Sequence, residues 1–151
     1  MAEAQIPDGL TADYENVEAR SALDALQRTP DYAHLAAFLT VLREDYLVVD
    51  VTGTPKAKAT RIRTIRSTRG QLLLPIFTSM AELRAAVPQA KADKVRGAIM
   101  PAFEALRLIR SDRFVAAQFD AGSAALVVLR KYIDLVLAGD PIDASTVEGL
   151  A

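Results

Sequence analysis

At 151 residues, 51% of them apolar, the chain suits one domain with a real core. A net charge of −1 gives no global pull towards nucleic acid or an anionic membrane, and the absence of cysteine excludes disulfides, thiolate nucleophiles and Cys-based metal sites. No apolar run approaches the roughly 18 residues of a membrane span, and residues 1–16 lack the basic and apolar regions of a secretory signal, so the chain reads as soluble and cytoplasmic.

Residues 1–18 carry Glu3, Asp8, Asp13, Glu15 and Glu18 but no Lys or Arg, and read as a loose acidic lead-in. Leu23 and Leu26 then share a helix face that Thr29-Pro30 ends. Residues 32–43 repeat Leu35, Phe38, Leu39 and Leu42 at helical spacing. The two form an αα-hairpin with its apolar stripe turned to a sheet. Residues 46–51 are a strand by β-branched content, closed by Thr52-Gly53-Thr54-Pro55.

Residues 60–68 are strand-like but polar, and a turn at Arg69-Gly70-Gln71 returns the chain as an apolar strand over 72–77. Pro75 removes a ladder donor and implies an edge or irregular pairing there. Ser79 with Glu82 has capping-box spacing and opens a helix over 79–86. A further helix is predicted over 98–110, with Pro101 in its first turn. Residues 114–119 and 124–129 are strands joined by a turn, and residues 131–137 a helix with Gly139 as C-cap. Leu47, Val49, Leu73, Ile76, Phe77, Val115, Phe119, Val127 and Leu129 are the expected core. The reading is one α+β domain over 19–138 and a flexible tail over 139–151. The domain is a mixed, largely antiparallel sheet of about five strands, with helices packed on it and an N-terminal αα-hairpin.

The run Leu74-Pro75-Ile76-Phe77-Thr78-Ser79, followed by Glu82 and Leu83, resembles the L-P-V-F-T-S strand-to-helix signature of the SseB family N-terminal domain, a bacterial α+β module. The resemblance covers residues 32–137. Charged Arg107, Arg110, Asp112 and Arg113 stand where that family is often rich in Ala and Gly. The resemblance implies a protein-interaction or adaptor role, secretion-associated in some relatives, with no catalytic residues to carry over and no cofactor.

The sharpest charge feature is Lys56, Lys58, Arg61, Arg63, Arg66 and Arg69, uninterrupted by any acid. It is either an edge strand kept from aggregating by charge or a docking surface. As a docking surface it would take an acidic protein surface or extended segment, or a second copy in a homodimer. Nucleic acid is disfavoured, because no aromatics interleave for base stacking. His34 is the only histidine, and one His without Cys does not suit a zinc site, which draws on several Cys or His. Ser79 lacks the flanking glycines of a nucleophile elbow and reads as a cap. Arg107, Arg110 and Arg113 read as a solvated face or a second anchoring patch. The alternative function is a small enzyme whose site assembles from dispersed residues such as His34, Asp50, Arg63 and Glu82.

Overall fold

The computed structural model describes residues 6–52 and 62–151. Helix α1 (Val17–Arg28) begins at Asn16, whose Oδ1 accepts the Ala19 amide at 3.0 Å. Asn16 is buried, and its side-chain amide donates to the Tyr46 carbonyl at 2.9 Å. Tyr14 stacks edge-on against Tyr46, and its hydroxyl accepts the Tyr46 amide at 3.1 Å. The end of the acidic lead-in is therefore docked. Asp31 caps α2 (Tyr32–Val41), which pairs with α1 as the helical hairpin.

Two sheets follow. Strand β1 (Tyr46–Asp50) pairs antiparallel with β4 (Gly97–Pro101). The second sheet has the order β2-β3-β5-β6, formed by β2 (Ile65–Arg66), β3 (Leu72–Ile76), β5 (Ala116–Phe119) and β6 (Leu126–Leu129). Its β2–β3 and β5–β6 pairs are antiparallel, and β3–β5 is parallel. Val48 and Phe77 exchange two backbone bonds of 2.9 Å, which tie the sheets together. β2 is much shorter than the polar run predicts. Its pairing stops opposite Leu73, so the missing N–H of Pro75 faces no ladder partner on that side.

The predicted helix over 98–110 is corrected. Gly97–Pro101 is a strand, and only Ala102–Arg107 forms α4, followed by a 3-10 turn at Leu108–Arg110. β1 needs a partner on its open side, and Ala98 and Ile99 alternate between the two apolar clusters that β1 separates. Gly97 permits it: a Cβ there would lie 2.4 Å from Met80 Sδ in α3 (Met80–Ala85).

The main core lies between the sheet and α1, α2, α4 and α5 (Arg130–Ala138). Phe38 meets Phe119 edge-to-face at 5.2 Å, both fully buried. A smaller cluster of Val48, Phe77, Met80, Leu83, Val95 and Ile99 packs under α3. Gly139 caps α5 with φ +83°. Beyond it, residues read as a tail carry α6 (Ala144–Glu148), whose Val147 is buried against the helical hairpin. Three residues of the expected core are not in it: Val115 is 37% exposed, and Val127 and Leu129 are each 48% exposed.

Candidate functional site

The signature run 74–79 ends β3 beside the end of its parallel neighbour β5, where a polar network gathers around a buried aspartate. Asp120, fully buried with φ +52°, accepts the Thr78 amide and hydroxyl at 2.8 Å each. Arg20 of α1 donates to Asp120 at 2.8 Å and also pairs with Asp24 and Glu82 at 3.1 and 3.2 Å. Ser123 accepts from Arg20 and donates to Glu82 Oε1 at 2.6 Å. Burial pushes the Asp120 carboxyl above the ordinary aspartate range, against the opposing pull of Thr78 and Arg20. Burial also disfavours the Arg20 charge, but its bonds to Asp120 and Asp24 outweigh this and raise its pKa. Ser79 Oγ caps α3 by accepting the Glu82 amide at 3.1 Å. The Glu82 carboxylate turns to Arg20 and Ser123, so its three-residue spacing from Ser79 serves two jobs. The network clamps α1 to α3 and to the ends of β3 and β5. Both Asp120 oxygens are bonded within it.

The basic run is only partly visible. Lys56, Lys58 and Arg61 lie outside the described residues. Arg63, Arg66 and Arg69 are exposed. The Arg63 amide donates to the Asp50 carbonyl at 2.8 Å, and the Arg66 guanidinium donates to the Gly70 carbonyl at 2.7 Å. Arg66 and Arg113 face one polar recess of about 450 Å³, so the fold brings together two basic stretches that lie far apart in sequence. Asp112 lines the same recess. Arg110 pairs loosely with Asp134, at 3.7 Å.

The dispersed residues of the enzyme alternative do not converge. Asp50 and Arg63 share a recess of about 200 Å³ that takes in neither His34 nor Glu82. His34 Nδ1 lies 2.7 Å from Asp31 at the start of α2, and its side chain is 39% exposed. Among the described residues, no group of three His, Asp or Glu side chains comes together as a metal site, and no helix is long and apolar enough to cross a membrane.

An apolar groove of about 930 Å³ opens elsewhere on the described surface. One wall is Leu26, Pro30, Tyr32 and Leu35, around the turn between α1 and α2, and the other is all of β6. β6 is the outer strand of its sheet. Its backbone direction follows from two bonds. Asp120 donates to the Ile76 carbonyl, so alternation turns the amides of Ala117 and Phe119 away from β3 and towards β6. Arg130 donates to the Val115 carbonyl, which gives the same phase. Val127 and Leu129, opposite Gln118 and Ala116, therefore point their N–H groups outwards, and Val127 its carbonyl as well. Sequence reasoning missed this groove. Leu126-Val127-Val128-Leu129 is apolar throughout, so no alternation marks an outer face. Only the strand order exposes it.

No curated protein and no solved structure matches the chain. Residues 20–133 match the SseB protein N-terminal domain, a span that holds the signature run, its Arg20 and Asp120 partners and every strand. The chain therefore belongs to the SseB family.

Proposed function

We infer that this chain is a non-enzymatic protein-interaction domain that receives its partner in the groove along β6. One observation carries the reading: an outer strand edge with two half-exposed aliphatic side chains forms a wall of an apolar groove of about 930 Å³. Exposed apolar surface of this kind, beside unpaired backbone groups, is a binding surface or an aggregation hazard. β6 carries no Lys, Pro or inward charge to blunt it, although Arg130 follows directly. The chemistry of the polar groups supports the same reading. Arg20, Glu82 and Asp120 spend their charges on one another, and His34 is taken up by Asp31.

The test is a double substitution, Val127→Glu with Leu129→Glu, compared with the native chain in quantitative capture from the native cell lysate. Loss of the captured proteins at unchanged melting temperature is the expected result. An unchanged set of captured proteins overturns the reading.

A further inference from the structure

We propose that the occupant of the β6 groove is an extended segment of another protein, added to β6 as an antiparallel strand. Its acidic residues would lie on its N-terminal side, next to Arg130 and Arg113. The proposal rests on the interaction-domain reading above and adds the partner's chemistry. Three observations carry it. First, the open groups are backbone groups in strand phase: Val127 offers both N–H and carbonyl, and Leu129 its N–H. A residue that offers both groups closes a two-bond pair with one residue of an antiparallel strand. Second, the facing wall of Leu26, Tyr32 and Leu35 is apolar, which suits alternate aliphatic side chains on the incoming strand.

Third, positive charge gathers at the C-terminal end of β6. Arg130 follows Leu129 and donates to the carbonyls of Asp112 and Phe114 at 3.1 and 3.2 Å, not to a carboxylate. Arg113 lies between the two residues whose carbonyls Arg130 reaches, and it pairs with no carboxylate among the described residues. Asp112 is the acid nearest in sequence, and its carboxylate accepts the Arg113 backbone amide. The Asp31 carboxylate in the groove wall is held by His34. An antiparallel strand passes Arg130 before it reaches Val127, so its carboxylates belong on its N-terminal side. A second copy of this chain supplies no such match. Pairing Val127 with itself across a twofold sets Arg130 opposite Ala124 of the second copy.

The experiment selects random decapeptides displayed on phage against the full chain. Enrichment of acidic residues N-terminal to alternating aliphatic ones is expected. The best peptide should weaken about tenfold when its acids become lysines or when Arg113→Glu is introduced, and both gaps should shrink as salt rises. On binding, hydrogen exchange at the Val127 and Leu129 amides should slow. No enrichment, enrichment without acidic bias, or protection elsewhere overturns the proposal. If that happens while the Val127→Glu, Leu129→Glu variant still loses its lysate partners, the interaction-domain reading stands and only the proposed occupant falls. Light scattering that shows a dimer, dissolved by the same double variant, assigns the groove to a second copy and also overturns the proposal.

Discussion

Arg20 illustrates how one side chain can hold three elements. Its guanidinium contacts Asp24 on its own helix, Glu82 on α3 and Asp120 at the end of β5. Arg20→Ala leaves the buried Asp120 with Thr78 alone, and should destabilise the fold by about 1.5–3 kcal/mol in urea denaturation. A loss below about 0.5 kcal/mol would show that the clamp is idle. Asp120 also sets a pH signature. Its folded pKa is raised above the unfolded value of about 3.9, so its contribution is present in full below that value and is lost as pH rises through the folded pKa. Asp120→Asn should remove that segment from the pH–stability profile. Ser79 carries a smaller share. Its Oγ accepts one amide at the start of α3, and Ser79→Ala should cost about 1 kcal/mol by thermal melting.

At the scale of elements, α6 shows how little sequence is needed to dock a segment. One cap and one buried side chain do it: Asp143 accepts from the Thr146 amide and from the hydroxyls of Ser145 and Thr146, and Val147 is fully buried. Those bonds lower the Asp143 pKa to about 2, first through Ser145 and then through Thr146. A depressed carboxylate stabilises above its unfolded pKa of about 3.9 and loses that contribution as pH falls through the folded value. The protection factor of the Val147 amide, its rate corrected for the intrinsic pH dependence of exchange, should therefore fall at the acid end between pH 5 and pH 2. In Asp143→Asn that fall should be absent. The sign is opposite to that of Asp120, because hydrogen bonds favour the charge at Asp143 and burial opposes it at Asp120. The strands carry a different lesson. β4 was read as helix because a short apolar run before Pro101 has no period of its own, and pairing with β1 decided it.

For the whole molecule, a polar clamp and an apolar groove divide the work. The clamp around Asp120 fixes the helical hairpin on the sheet, and the groove along β6 is the proposed docking surface. Val127→Glu with Leu129→Glu should leave stability within about 1 kcal/mol, since both side chains are already half exposed. A larger loss on melting would place them in the core after all. Local chemistry was legible in the sequence. The αα-hairpin, the strands at Tyr46, Leu72 and Leu126, the Ser79 cap and the Gly139 cap each depend on neighbours a few residues away. The basic stretch was legible as composition, but the meeting of Arg66 with Arg113 was not, because the two lie 47 residues apart. The same holds for Thr78 and Asp120, for the parallel pairing of β3 with β5, and for the exposed face of β6. An apolar strand reads alike at the centre and at the edge of a sheet. Strand order is set by long-range packing that no local pattern encodes, and for β6 that order turned expected core into surface.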